Sequence, residues 1–226
     1  MEALTLTFTT FLKICARKTL GKIGELRTFM QPGGYDFYKV FKKLAVARAE
    51  GAIDLAKAKI VVEKIKQTPE RTHTLEAITK FDKWCSGKKL KCKTPPQAMF
   101  KSPSGLLKIR LTPELAFVNE SGETYVLYLW NLSTPELKNE LAGEGLRLLV
   151  RELKPNGKYK LGIFDLRKNV IVPETVIKPA SDKQLTYDLM LIEEIWKDLN
   201  DPSISVDETI AHISLLKLPT APAPSH

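Results

Sequence analysis

The chain has 226 residues, 43% of them hydrophobic, which is enough for a buried core and excludes collagen-like, mucin-like and wholly disordered proteins. Its 35 Lys and Arg exceed its 26 Asp and Glu, and the net charge of +9 points to a polyanionic partner. The charge is uneven, because residues 1–110 hold 23 basic and 9 acidic residues whereas residues 111–226 hold 12 and 17. The basicity therefore belongs to one half of the chain.

Bulk features also bear on location. No apolar run approaches the roughly 20 residues that a membrane-spanning helix needs. The first basic residues, Lys13 to Lys22, follow the first apolar stretch, whereas those of a secretory signal precede it. Three cysteines are too few for a disulfide framework. We therefore expect a cytoplasmic protein that has no membrane partner.

The first ninety residues show helical periodicity. The opening residues indicate a short extended start that passes into a helix, followed by a break at Gln31-Pro-Gly-Gly. Apolar residues three and four apart then predict a helix from Asp36 to about Gly51, a second from its cap Asp54 to Lys66, and a third beginning at Thr74. We interpret residues 1–88 as a basic helical bundle and residues 89–104, which include two prolines and a lysine run, as a connector.

The second half begins with alternating periodicity. The pattern predicts a meander of three strands at 106–111, 115–119 and 124–131. Thr134-Pro135 is typical of a helix start, and apolar spacing predicts a crossover helix that continues to about Leu153. Two further strands are expected at 159–166 and 170–172.

The C-terminal part returns to helical spacing. Ser181 begins a predicted helix, and Ser205-Val-Asp-Glu208 is a capping box for a last one. The proline-rich residues 217–226 predict a disordered tail. The expected fold class is α+β: an N-terminal helical bundle followed by a small mixed β-sheet with a crossover helix and C-terminal helices, residues 105–216 forming the second domain.

The order of elements over residues 100–175 resembles the core of the PD-(D/E)XK nuclease-like superfamily. In that core a helix precedes a three-stranded meander, a crossover helix and a further strand. An acid near the second strand and a D/E-x-K triplet on the third strand hold a divalent metal and activate water. Separately, Tyr35-Asp-Phe-Tyr and Phe81-Asp-Lys-Trp make the N-terminal half similar to uncharacterised bacterial proteins, which implies no function.

The nuclease motif is incomplete in this sequence. Glu114 stands where the first acid is expected, but the third strand, Tyr125-Val-Leu-Tyr-Leu-Trp-Asn-Leu, has neither acid nor lysine. A literal Glu136-Leu-Lys138 follows in the next helix, where an acid also suits the helix dipole. An active nuclease would use Glu114, Glu136 and Lys138 with Mg²⁺. Without that activity, no cofactor and no metal are expected.

Other residues have both a structural and a functional interpretation. Gly143 and Gly145 weaken the crossover helix, so we expect a close approach of that helix to the sheet. Asp165, at a strand end, is expected to cap the following turn rather than to bind metal. His73, Cys85 and Cys92 match no compact zinc motif.

The basic half gives the main functional prediction. Lysines that neutralise phosphates do not distinguish one base sequence from another. We therefore expect the protein to bind DNA or RNA through the nucleic-acid backbone, and to be built on a catalytically degenerate nuclease-like core. The candidate nucleic-acid-binding residues are Lys13, Arg17, Lys18, Lys22, Lys39, Lys42, Lys43, Lys88, Lys89, Lys91 and Lys93. Solvated helix faces explain any one of these clusters equally well.

A protein-interaction module is the other alternative. Leu185, Leu189, Ile192 and Trp196 form a narrow stripe that suits a homo-oligomer or a docked partner. The acidic half of one copy could also dock on the basic half of another.

Overall fold

The computed structural model describes residues 1–30 and 38–215. The helices are α1 Phe8–Cys15, α2 Thr19–Thr28, α3 Lys39–Ala49, α4 Leu55–Glu63, α5 Thr68–Cys85, α6 Asn139–Leu153, α7 Pro179–Leu199 and α8 Val206–Leu215. The strands are β1 Leu4–Thr7, β2 Lys91–Lys93, β3 Ala98–Lys101, β4 Leu107–Leu111, β5 Leu115–Val118, β6 Thr124–Trp130, β7 Lys160–Asp165 and β8 Val170–Pro173. Short 3-10 helices occupy Lys154–Asn156 and Glu174–Val176. None of the described helices is both long and apolar enough to cross a membrane.

The strands form two mixed sheets. The larger has the order β2-β5-β6-β7-β8, with β6 and β7 parallel and its other pairs antiparallel. Helix α6 connects β6 to β7, as a parallel pair requires. The smaller sheet has the order β1-β4-β3, in which β1 is parallel and β3 antiparallel to β4. The predicted α+β class is confirmed.

The five-stranded sheet is buried on both faces. Successive strand residues point to opposite faces, and in β6 Leu127 and Leu129 join one hydrophobic core while Val126 and Tyr128 join another. Helices α3, α4 and α5 fill the first core. Helices α1, α6 and α7 and the inner face of the three-stranded sheet fill the second.

The predicted caps at Asp54 and Ser205 are confirmed, whereas Thr134 caps no helix and α7 begins at Pro179, two residues before the predicted Ser181. Asp54 Oδ1 accepts a hydrogen bond from Lys57 N at 2.8 Å at the start of α4. At α8, Ser205 N donates to Glu208 Oε2 and Glu208 N donates to Ser205 Oγ, which is a complete capping box. The extended start that passes into a helix is β1 followed by α1.

Several predicted boundaries are wrong. Helix α5 begins at Thr68 rather than Thr74, with Pro69 in its first turn, where a missing N–H costs nothing. Helix α4 ends at Glu63 rather than at Lys66. Helix α6 begins at Asn139 rather than at Thr134, because the segment before it buries Leu137 in the core. Residues 89–104 contain the strands β2 and β3.

The predicted meander is also wrong in its first strand. Strand β4, at Leu107–Leu111, pairs with β1 and β3 in the smaller sheet. The strand that pairs with β5 in its place is β2, which β3 and β4 separate from β5 in the chain. The parallel partner of β4 is β1, which lies a hundred residues earlier in the chain. No local sequence pattern connects the two strands. The tertiary pairing therefore decides to which sheet β4 belongs.

The N-terminal segment shares its core with the second half of the chain. Leu4, Leu6, Leu12 and Leu26 lie in the same hydrophobic cluster as Ile192. Only α3, α4 and α5 form the predicted bundle. The division at residues 88 and 104 stays a prediction, and the break at Gln31-Pro-Gly-Gly and the tail 217–226 lie outside the described residues.

The two glycines of α6 allow close packing, but against helices rather than the sheet. A Cβ at Gly145 would lie 2.9 Å from Leu12 Cδ1 and 2.9 Å from Phe8 Cζ, both on α1. A Cβ at Gly143 would lie 2.8 Å from Ser181 Oγ at the start of α7. The expected close approach is confirmed, and its partner is corrected to α1 and α7.

Gly145→Ala should therefore lower the free energy of unfolding by about 1–3 kcal/mol through overpacking, despite the better helix propensity of alanine. The control is Gly24→Ala in α2, where the added Cβ meets nothing within 4 Å and should stabilise the protein by up to about 1 kcal/mol. Urea denaturation of both variants measures the difference. Equal effects would contradict the packing role of Gly145.

Candidate functional site

The first predicted nuclease residue, Glu114, lies inside the protein. Its side chain is 8% exposed, Oε1 lies 2.7 Å from Lys42 Nζ, and Oε2 accepts a hydrogen bond from Leu129 N at 2.9 Å. Burial raises the pKa of Glu114, while Lys42 opposes that shift. Both carboxylate oxygens of Glu114 are therefore engaged, and they link α3 to β5 and β6.

The other two residues lie elsewhere. Glu136 and Lys138 are exposed, and Glu136 pairs with Lys168 at 2.8 Å. Glu136 lines a shallow cavity of about 340 Å³ at the carboxyl ends of β6 and β7, together with Asp165 and Lys168. Neither Glu114 nor Lys138 lines this cavity. The predicted set is therefore not gathered around it.

Asp165 has the turn-capping role that the sequence favours. It is buried, and its Oδ1 accepts hydrogen bonds from Arg167 N at 2.9 Å and from Lys168 N at 3.3 Å. These bonds fix the turn between β7 and β8.

Four of the predicted nucleic-acid-binding residues are engaged with carboxylates. Lys13 and Arg17 both pair with Glu25, and Lys42 pairs with Glu114. Lys22 is buried, with 4% of the residue exposed, and pairs with Asp188 at 2.7 Å. The prediction that Lys22 contacts a nucleic acid is therefore wrong, because its ammonium group is not accessible.

The other predicted basic residues reach solvent. Lys88 places its ammonium 4.2 Å from the centre of the Trp84 ring, and burial lowers its pKa. The remaining six are exposed and have no ion pair with a described residue: Lys18, Lys39, Lys43, Lys89, Lys91 and Lys93. Lys91 and Lys93 lie on β2, an edge strand, where lysine also discourages pairing with another chain.

Basic residues gather where α3 meets the end of α4. Lys64 and Lys66 line a shallow cavity of about 420 Å³ together with Val40 of α3. Lys39 and Lys43, one turn apart on α3, flank Val40. All four lysines are exposed and lack an ion pair among the described residues. We call Lys39, Lys43, Lys64 and Lys66 the α3–α4 basic surface.

A cluster of polar side chains that the sequence does not predict is buried where α1, α2, α6 and α7 meet. Lys22 Nζ contacts three acceptors: Asp188 Oδ1 at 2.7 Å, Cys15 O at 2.7 Å and Ile14 O at 3.0 Å. Gln184 Nε2 donates to Asp188 Oδ2 at 2.6 Å. The cation of Lys22 thereby caps the C-terminus of α1 and binds that helix to α7.

Glu144 is the fourth member of this buried ionic cluster, which we define as Cys15, Lys22, Glu144 and Asp188. Burial and the nearby Asp188 carboxylate raise the pKa of Glu144 to about 8. Burial and the charge of Glu144 raise the pKa of the Cys15 thiol. Both groups are therefore neutral at pH 7, which leaves Lys22 and Asp188 as a balanced ion pair.

The same cluster contains the residues that could hold a metal. Cys15 Sγ and one carboxylate oxygen each of Glu144 and Asp188 lie within 4.8 Å of one another. Glu144 Oε1 is buried without a hydrogen-bond partner. However, the ammonium of Lys22 already balances the charge of Asp188, so the cluster is self-sufficient as a structural element.

The cysteines of the zinc hypothesis are in a different environment. Cys85 is buried, which raises its pKa to about 12, and such a thiol is a poor nucleophile and a poor metal ligand. Among the described residues, the potential metal group is that of Cys15 and includes neither Cys85 nor His73.

No model of a known protein family matches the chain, and no curated protein matches it in sequence. The site must therefore be interpreted from its own geometry.

Lys22→Met should cost about 3–5 kcal/mol of unfolding free energy, because it leaves Asp188 buried and unpaired. Lys18→Met, four residues earlier and exposed, should change stability by no more than about 0.5 kcal/mol. The double variant Lys22→Met/Asp188→Leu should recover part of the loss, because it removes both charges. Chemical denaturation measures all three, and a harmless Lys22→Met would contradict the structural role.

Glu144→Gln should change the pH dependence of stability. Native Glu144, with its raised pKa of about 8, keeps a proton that the unfolded chain loses at lower pH. The native protein should therefore lose stability as pH rises through this window, by up to about 1.4 kcal/mol per pH unit. The glutamine variant lacks this loss, so its stability relative to the natural protein should increase from pH 5 to pH 8. Denaturation curves at several pH values, with a chelator present, test this; parallel pH profiles would contradict it.

Proposed function

We propose that this protein binds nucleic acids through their phosphate backbone and uses the α3–α4 basic surface to do so. The observation that carries the proposal is that four exposed lysines, on α3 and just after α4, have no ion pair with a described residue. Two of them, Lys64 and Lys66, line one shallow cavity, whose lining also includes the buried Glu70. Lysine side chains without a carboxylate partner can neutralise phosphates and release the counterions of a nucleic acid.

The proposal includes a nuclease-like core without catalysis. Its support is the arrangement of the five-stranded sheet, in which α5 is followed by the antiparallel strands β2, β5 and β6, the crossover α6, and β7 parallel to β6, with β3 and β4 of the other sheet inserted between β2 and β5. Strand β6 presents only apolar and aromatic side chains after Thr124. Glu114, the acid that would bind metal, is held instead by Lys42 and Leu129 N. An active nuclease therefore has less support than a binding protein.

The apolar stripe predicted as an oligomerisation surface is not exposed. Leu185, Ile192 and Trp196 are buried in the core of their own chain, and Leu189 packs against that core. The predicted stripe thus holds α7 to its own neighbours, and a homo-oligomer cannot use it without unfolding.

Binding should be measured by fluorescence anisotropy with a labelled DNA duplex and a labelled RNA strand. Affinity should fall steeply between about 50 and 200 mM salt. Changing Lys39, Lys43, Lys64 and Lys66 to Gln should reduce the slope of log affinity against log salt by up to about 0.9 for each lost phosphate contact.

The matched control changes Lys83, Lys138, Lys158 and Lys183 to Gln, which removes the same charge from exposed, scattered positions. This control should alter the slope little. If both variants lose affinity equally, net charge rather than the α3–α4 basic surface is responsible. Absence of binding to DNA and RNA at low salt would overturn the proposal.

A further inference from the structure

The three-stranded sheet has one open face. Along β1, β3 and β4 the buried residues alternate with residues that reach solvent, as expected of a sheet packed on one side only. Leu6, Phe100 and Ile109 point into the core. We call the opposite set the open sheet face: Thr5, Thr7, Met99, Lys101, Lys108 and Arg110.

The charged residues of the open sheet face are all basic. Lys101, Lys108 and Arg110 form no ion pair with a described residue, and the three strands contain no Asp or Glu. Lys101 and Lys108 are direct cross-strand partners. Like charges directly opposite one another destabilise a sheet. A bound anion would remove this repulsion, so the arrangement favours a polyanionic partner.

The remaining residues of the face indicate which polyanion. It contains no aromatic side chain on which an unpaired base could stack. Hydroxyl groups and cations are the usual donors to phosphate oxygens. Thr5 is the register partner of Lys108 in the parallel pair, so a residue with a hydroxyl group and a residue with an ammonium group are neighbours on this face. This chemistry fits the backbone of a duplex.

The open sheet face and the α3–α4 basic surface lie on different sides of the molecule. Helices α3 and α4 pack on one face of the five-stranded sheet, through the core that contains Leu127. The three-stranded sheet packs, with α1, α6 and α7, in the core on the other face, which contains Val126. The buried five-stranded sheet thus separates the two basic surfaces.

We infer that the open sheet face is a second phosphate-binding surface and that one molecule bridges two nucleic-acid duplexes. This inference rests on the proposed function, since it requires the α3–α4 basic surface to hold the first duplex. It adds an activity, the joining of two nucleic-acid duplexes at a distance set by the thickness of the protein.

The test uses the full chain and two duplexes of the same sequence, one attached to beads and one fluorescently labelled. The natural protein should retain the labelled duplex on the beads at low salt. Changing Lys101, Lys108 and Arg110 to Gln should abolish this retention while anisotropy still shows binding of a single duplex. The control, with Lys83, Lys158 and Lys183 changed to Gln, should retain the label.

The outcomes separate the two proposals. Binding of single duplexes without retention on the beads overturns bridging and leaves the proposed function intact. Absence of any duplex binding overturns both. Retention that persists in the open-face variant means that bridging arises otherwise, for example from self-association, and overturns the role of this face. If that variant instead loses only its affinity for vesicles of anionic lipid, the partner of the face is a membrane surface, and the inference is wrong.

Discussion

The parallel pairing of β1 with β4 is the contact on which most of the remaining structure depends. It joins Leu4–Thr7 to residues a hundred positions later and places α1 and α2 directly after it, against α6 and α7. Cys15 and Lys22 reach Glu144 and Asp188 only because of this placement. The same pairing completes the small sheet and leaves its basic face open to solvent.

Charged side chains are neutralised in the buried ionic cluster but not on the two basic surfaces. Inside, one lysine is balanced by one carboxylate, and Glu144 avoids an uncompensated charge by keeping its proton, since burying an unpaired ion is very costly. At the surface, the lysines of the α3–α4 basic surface and the cations of the open sheet face have no such partners among the described residues. Because exposed like charges are tolerated more readily than buried ones, these positions are the ones at which we propose that a polyanion binds.

Sequence reasoning located the site residues only in part. The basic half was identified by counting, but counting does not separate Lys22, which is buried, from Lys39, which is exposed. Lys101, Lys108 and Arg110 were not singled out, although they belong to the same basic half. The buried ionic cluster had one local signal, the glycines on either side of Glu144, which mark a close approach in α6. Its other members come from α1, α2 and α7, and no spacing rule connects them.

The α+β class, the existence of helices α3 to α8, the central strands and the caps at Asp54 and Ser205 can be predicted from the amino-acid sequence, because these features depend on periodicity and on neighbours within a few residues. Tertiary structure alone decided that β4 leaves the meander, that the N-terminal residues belong to the core of the second half, and that the Leu185 stripe faces inward. These features depend on contacts between residues far apart in the chain, where burial of apolar surface and pairing of strands outweigh local preference. The same holds for the uneven charge of the chain. Composition shows that the first half is basic, but only the fold decides which of its cations face solvent.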